Sequence, residues 1–301
     1  MNSNIPEFLY ELLNKQYGEE ITNKIIEGYS VKRNTTLRVN TIKSNIDEIK
    51  NKLKEKNIVF EEVSWSKEAL ILKNANESDI QKLDIYENGE IYLQSLSSML
   101  PPIILNPKEK ENILDMAAAP GGKTTQIAAL TNNEAFITAC EMNKIRSERL
   151  KYNIEKQGAK GIFVMLTDSR KMDDFFSFDR ILLDAPCSGS GTLDLNNEET
   201  KKFFTMNLIN KSISSQLTML KKALKMLKKG KEMIYSTCSI LEAENEEIVR
   251  KATQGLNIEI VPIKFDGIED VPLLPTKIKG TICVCPNEMY EGFFVAKIRK
   301  L

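Results

Sequence analysis

The sequence contains no histidine in its 301 residues, and this absence excludes more chemistry than any other feature of its composition. Ser-His-Asp hydrolysis, His-assisted thiol proteolysis and the commoner catalytic zinc sites all need an imidazole. Any acid or base must therefore be Asp, Glu, Lys, Cys or Tyr. Long apolar runs are also missing, and the N-terminus MNSNIPEFLY lacks the basic-then-apolar layout of a secretory signal. The expectation is a soluble cytoplasmic protein with no membrane partner. Net charge is absent too, with 42 Lys and Arg against 42 Asp and Glu, so any nucleic-acid contact must rest on a local patch. Five cysteines, an odd number, do not form a secreted disulfide framework. In a reducing compartment they are free thiols.

What is present reads as a small α+β module followed by a larger α/β domain, divided as residues 1–105 and 106–301. Residues 5–28 carry apolar side chains at helical spacing: Phe8, Leu9, Leu12 and Leu13, then Ile21, Ile25 and Ile26. A strand over 35–42, a helix over 45–56 and strands around 58–65 and 70–72 complete the module. Its Arg33, Arg38 and Asn40 are candidate RNA contacts. Pro101 and Pro102 are expected at the handover. From residue 111 strand and helix alternate, which predicts a parallel, doubly wound sheet with its strand ends on one edge. NILDM, AFITACE, GIFVML, RILLD and EMIYST are its strands, and GFFVAKI is an antiparallel closing arm.

Four acids fall at four successive strand ends: Asp115, Glu141, Asp168 and Asp184. Any one of them could be a helix cap or a solvated loop residue, but together they describe a cofactor cleft. After Asp115 the chain runs AAAPGGKTT, a turn that lets a ligand approach backbone amides and a helix N-terminus. In one reading GGKT ends a phosphate-binding P-loop, but the position of that motif's first glycine is Ala117. In the other the loop wraps a nucleoside, Glu141 takes the ribose hydroxyls and Asp168 meets the adenine. Cys187 and Cys238 each follow a strand, and one of them could serve as nucleophile, with Lys123 as the cation that favours its thiolate. Cys140, Cys283 and Cys285 read as inert, and no metal set emerges. Lys221, Lys222, Lys225, Lys228, Lys229 and Lys231 are placed on one helix running to Lys229 and its end, mainly as a solvated face.

DMAAAPGGKT, DAPCSGSGT and YSTCS, in that order, resemble three signature segments of the Nop/Sun (RsmB/Nop) family of RNA cytosine-5 methyltransferases. LRVNT, QSLSS and GFFVAKI resemble weaker ones, so the resemblance covers about residues 5–298. It implies a Rossmann-like class I methyltransferase sheet, S-adenosylmethionine as cofactor, and an rRNA or tRNA substrate. By the same resemblance the loop of Ala117, Ala118, Ala119, Pro120, Gly121, Gly122 and Lys123 holds the methionine and ribose part. Glu141, Arg146 and Asp168 lie along the rest of the cofactor. Cys238 corresponds to the nucleophile and Cys187 to the thiol that assists release, while Asp184 and Lys123 grip the cytosine. Chemistry agrees with this pairing, because carbon 5 of cytosine attacks a sulfonium methyl only after a thiolate has added to carbon 6. The target must leave any stacked helix, so a single-stranded or flipped cytosine is expected. Two departures stand out. Glu141 occupies a position more often Asp, and Pro286 is followed by Asn287 where many members carry histidine. No RNA-binding domain is expected after residue 300. The alternatives are a P-loop triphosphatase and a non-catalytic RNA-binding protein on the same fold.

Overall fold

The computed structural model describes residues 5–197 and 204–301. Helices α1 (Glu7–Tyr17) and α2 (Glu19–Ser30) make up the helical stretch expected over 5–28. Gly18, at φ 78°, breaks it where a side chain would be strained. Strand β1 (Thr35–Val39), helix α3 (Ile46–Glu55), strands β2 (Phe60–Val63) and β3 (Ser66–Leu72), short helices α4 (Glu77–Ile80) and α5 (Asp84–Glu87) and strand β4 (Ile91–Leu93) follow. They form an antiparallel sheet in the order β2-β3-β1-β4. This sheet has its own core of Leu37, Val39, Ile49, Leu53, Leu70 and Leu72.

Helix α6 (Leu96–Leu105) contains both prolines that were expected at a boundary. Pro102 has no N–H for the carbonyl of Ser98, and Gln94 Nε2 donates to that oxygen instead at 3.1 Å. At Pro102, therefore, a side chain from the preceding loop replaces the lost bond.

The large sheet takes strands β5 (Asn112–Asp115), β6 (Phe136–Glu141), β7 (Ile162–Leu166), β8 (Phe178–Asp184) and β9 (Leu227–Thr237). Helices α7 (Gly122–Leu130), α8 (Lys144–Lys156) and α9 (Met206–Met226) connect some of them. After α10 (Glu246–Thr253) come β10 (Ile258–Ile260), β11 (Leu273–Leu274), β12 (Ile282–Val284) and β13 (Phe293–Lys300). Among the described residues the order is β11-β12-β13-β9-β8-β5-β6-β7, with β10 on β13. Strands β5 to β9 are parallel and β13 runs antiparallel to β9. The apolar run of β8 is covered on both faces, which explains its lack of alternation. Ile181 and Leu183 join a core shared with Leu9, Leu13, Ile25 and Tyr29 of α1 and α2, and Leu182 faces Leu96, Met99 and Leu100 of α6.

The lysine-rich segment departs from the sequence expectation. Helix α9 ends at Met226, because extended Leu227 already pairs with Phe178 as the first residue of β9. Lys228, Lys229 and Lys231 therefore stand on a strand. Lys222 and Lys225 pair with Asp174, Lys228 with Asp179, and Lys231 with Glu111 and Asp179. Glu111 and Asp179 lie at the starts of β5 and β8, opposite the ends that carry Asp115 and Asp184. Among the described residues no helix is long and apolar enough to cross a membrane.

At that lower edge Glu232 of β9 pairs with Arg180, Lys297 and Arg299 at 2.7, 3.0 and 2.6 Å. Burial disfavours its charge, but the three cations outweigh burial and bring Glu232 down to about 2. Its folded pKa lies below its unfolded value, so its contribution is present above about 4.5 and is lost as pH falls through about 2. Glu232→Gln should lower unfolding free energy at pH 7 by about 1–3 kcal/mol, less than for a fully buried pair. Arg180 retains Glu111, and Arg299 retains Glu259. Urea denaturation of both proteins at pH 7 and pH 3 checks this, with the difference expected to shrink at the lower pH.

Candidate active site

The strand order reverses between β5 and β8, and the crevice beyond their carboxyl ends is where an α/β sheet binds its ligand. Asp115 ends β5, fully buried, and accepts from Thr124 Oγ1 at 2.7 Å. Burial pushes its carboxyl up to about 6, against the pull of Thr124 and Lys123. Asp184 ends β8 and accepts from Lys123 Nζ at 2.6 Å and from Ser236 Oγ at 2.8 Å. Lys123, from the first turn of α7, also donates to Ser98 Oγ at 2.7 Å and stands over the Phe293 ring at 5.5 Å. Burial opposes its charge, yet Asp184, Asp115 and Cys238 outweigh burial and hold the ammonium above its ordinary pKa.

Parallel pairing of β8 with β9 sets Asp184 opposite Ser236. The chain then carries Cys187 and Cys238 to a Sγ–Sγ distance of 3.1 Å, as free thiols. A cavity of about 830 Å³ opens before them, lined by Arg33, Asp115, Lys123, Asp184, Cys238 and Phe293 among others, with Cys187 behind Cys238. The hydrogen bond with Cys238, burial, and the charges of Cys238 and Glu244 all push the Cys187 thiol up. Cys187 is thus the partner that keeps its proton, and Cys238 the one that faces the cavity.

A second cavity, about 70 Å³, meets the first at Ala117 and is lined by Cys140, Glu141, Arg146, Asp168 and Arg170 among others. Glu141 ends β6, is buried, and accepts from the Asn143 amide at 2.8 Å. Arg146 lies 3.5 Å from Glu141 and donates to the Ala119 carbonyl at 2.8 Å, so it ties the loop of Ala117 to Lys123 to the end of β6. Asp168 lies two residues beyond β7, where Arg170 grips its carboxylate at 2.7–3.1 Å and holds it below the usual range. The structure therefore brings all four strand-end acids to one crevice, divided between a thiol chamber and a Glu141–Asp168 chamber.

With that geometry in place, the comparisons with known proteins are decisive. The family model described as 16S rRNA methyltransferase RsmB/F matches residues 102–299. The chain belongs to the RsmB/F family. A second model, the ferredoxin-like domain of RsmF/B-like methyltransferases, matches residues 5–79. "Ribosomal RNA small subunit methyltransferase F" of Vibrio vulnificus is 36% identical over 278 residues, 88% of this chain and 57% of that protein. The chain thus spans about half the length of that curated relative. "tRNA (cytosine(49)-C(5))-methyltransferase" of Pyrococcus abyssi is 32% identical over 95% of this chain and 98% of its own. A solved methyltransferase homologue from Pyrococcus horikoshii superposes with TM-score 0.83 at 31% identity, covering 99% of this chain and 100% of that one.

Some residues of this RsmB/F chain occupy places that sequence reasoning did not assign. Arg38 is buried and donates to Gln94 at 3.1 Å and to Thr125 at 3.2 Å, while Asn40 is buried against the carbonyls of Gly89 and Gln157 at 2.7 and 2.8 Å. Both join the small sheet to the large domain, and of the three candidate RNA contacts only Arg33 lines the cavity. The thiol loops are also buttressed from behind. Tyr17 donates to Ile240 O at 2.7 Å and Tyr29 to Ser190 O at 2.5 Å. No spacing signal in the sequence links these tyrosines to loops so distant along the chain.

Gly191 sits where the chain needs no side chain. Its N–H donates to Cys238 O at 2.9 Å, and its carbonyl accepts from Gly292 N at 2.8 Å. A Cβ there would stand 2.0 Å from Gly292 O. Gly191→Ala should cost about 1–3 kcal/mol through forced backbone shifts and part the two thiol loops. Thermal melts, together with the rate at which diamide bridges Cys187 to Cys238, check this, and unchanged values would show that the backbone approach is slack.

Proposed function

We propose that the protein is an S-adenosylmethionine-dependent RNA (cytosine-5)-methyltransferase acting on rRNA or tRNA in the cytoplasm. One observation carries the reading: Cys238 shares one cavity with the Lys123–Asp184 pair, and a second free thiol, Cys187, stands 3.1 Å from its sulfur. A methyltransferase aimed at an amino group needs no nucleophile. The P-loop alternative is disfavoured because Lys123 is already committed to Asp184 and Ser98. We assign residues 1–105 to a module that helps hold the RNA and residues 106–301 to the chemistry, with α1 and α2 also backing the thiol loops.

The donor set suits the cofactor. The loop of Ala117 to Lys123 offers small side chains and backbone amides, and Glu141 offers a buried carboxylate for ribose hydroxyls. Arg146 steadies that loop, and Asp168, held by Arg170, is assigned to the adenine. S-adenosylmethionine supplies an electrophilic methyl group on a sulfonium.

Lys123 and Asp184 hold the cytosine by its polar edge, Asp184 sharing a proton with ring nitrogen 3. Cys238 adds as thiolate to carbon 6 and pushes electron density toward carbon 5. After carbon 5 has taken the methyl group, its proton passes to a carboxylate or water, the C–H electron pair restores the carbon 5–carbon 6 double bond, and the carbon 6–sulfur bond breaks with its electron pair leaving on Cys238. Cys187 keeps a proton beside the departing sulfur and assists that release. The cavity admits an unstacked base, in line with a single-stranded or flipped target.

Cys238→Ala should abolish turnover, whereas Cys187→Ala should leave a covalent protein–RNA adduct. The test incubates each variant of the full-length protein with total cellular RNA and S-adenosylmethionine, followed by denaturing gels and mapping of 5-methylcytosine. Normal turnover by Cys238→Ala would overturn the mechanism, and wild-type protein that binds the cofactor yet yields no 5-methylcytosine would overturn the activity.

A further inference from the structure

Behind the thiol pair lies a carboxylate that the chemistry above does not use. Glu244, in the short turn Glu242–Glu244 after β9, is fully buried. Its Oε1 accepts from Ser188 N at 2.8 Å and from Gln216 Nε2 at 3.3 Å. Its Oε2 accepts from Ser188 Oγ at 2.5 Å and from Ser239 Oγ at 2.6 Å. Tyr235 OH fixes the backbone from below, donating to Glu244 O at 2.6 Å. Ser188 follows Cys187 and Ser239 follows Cys238, so one carboxylate holds the next residue along from each thiol. No ion pair joins Glu244 to a lysine or arginine among the described residues.

A buried carboxylate without a cation is costly unless its oxygens are filled. Here four donors fill them, and three belong to the thiol loops. That cost has a use if the group fixes geometry, because two loops on different strands otherwise settle independently. We propose that Glu244 is a positioning residue that sets the spacing and direction of Cys187 and Cys238 by bonding both loops at once. The inference rests on the two-thiol reading of the active site. It adds a member to that site which touches neither substrate nor cofactor.

Its charge has a second effect. Cys187 faces Cys238 and Glu244, with Tyr235 beyond, and the carboxylate adds to the forces that keep the Cys187 proton in place.

Three variants separate reach from charge. Glu244→Ala removes every side-chain acceptor. Glu244→Asp keeps the charge but draws it back by one methylene. Glu244→Gln keeps an oxygen for Ser188 N and Gln216 while its amide faces two hydroxyls that can rotate to accept. Diamide bridging of Cys187 to Cys238, read by peptide mass spectrometry, should slow at least about ten-fold in Glu244→Ala and Glu244→Asp and stay near wild type in Glu244→Gln, since misplacement by an ångström suffices to lose such proximity. In a Cys238→Ala background, the pH midpoint for iodoacetamide alkylation of Cys187 should move down in Glu244→Gln. A role in general stability alone would not move it.

Both readouts use neither RNA nor S-adenosylmethionine, so they stand apart from the activity. If they behave as stated while wild type makes no 5-methylcytosine, the positioning role holds and the activity fails. Should Glu244→Ala not fold, Glu244→Asp decides. Bridging as fast as wild type in Glu244→Asp, with an unmoved alkylation midpoint in Glu244→Gln, overturns the proposal.

Discussion

The pairing of β8 with β9 is the constraint on which the rest of the molecule depends. Its register places Leu183 against Tyr235 and Asp184 against Ser236, and each chain then leaves the sheet toward the same crevice. Sequences more than fifty residues apart thereby deliver two thiols to one point. Slippage by one residue would turn Ile181 and Leu183 to the wrong face and part the cysteines. The apolar packing on both faces of β8 resists that, with α1 and α2 on one side and α6 on the other.

Without histidine the site draws its proton chemistry from buried groups whose pKa values diverge. Lys123 keeps its charge, Cys187 keeps its proton, and Asp115 is pushed up to about 6. The Asp115 shift has a definite sign for the fold. Its folded pKa exceeds the unfolded value, so its contribution is complete below about 3.8 and is lost as pH rises through about 6. At neutral pH Asp115 is thus a charge that the structure bears rather than a source of stability. Thr124 and the nearby Lys123 limit the cost.

The five parallel strands of the large sheet, the four strand-end acids and the paired cysteines could all be found in the sequence. Each is signalled locally, by an apolar run ending in an acid and a small-residue loop. What could not be found depends on partners distant along the chain. Pro101 and Pro102 look like a boundary until Gln94 is seen to satisfy the freed carbonyl of Ser98. Lys228 and Lys231 look helical until Leu227 pairs with Phe178. Arg38 and Glu244 are charged residues that a sequence reading sends to the surface, and only tertiary hydrogen bonds reveal both as buried ties. Tyr29, likewise, lies just beyond the helical stretch read over residues 5–28, and nothing local marks its hydroxyl as reaching Ser190.

The central claim is that Cys238, which faces the cavity, attacks the base, while Cys187 behind it does not. It is tested most directly by trapping the full-length protein on RNA that contains 5-fluorocytidine. This base accepts the methyl group but has no proton at carbon 5 to release. Digestion and mass spectrometry then identify the modified cysteine. The account predicts that the nucleotide is attached to the peptide bearing Cys238. Attachment to the peptide bearing Cys187, or RNA bound with no covalent attachment at either thiol, would contradict it.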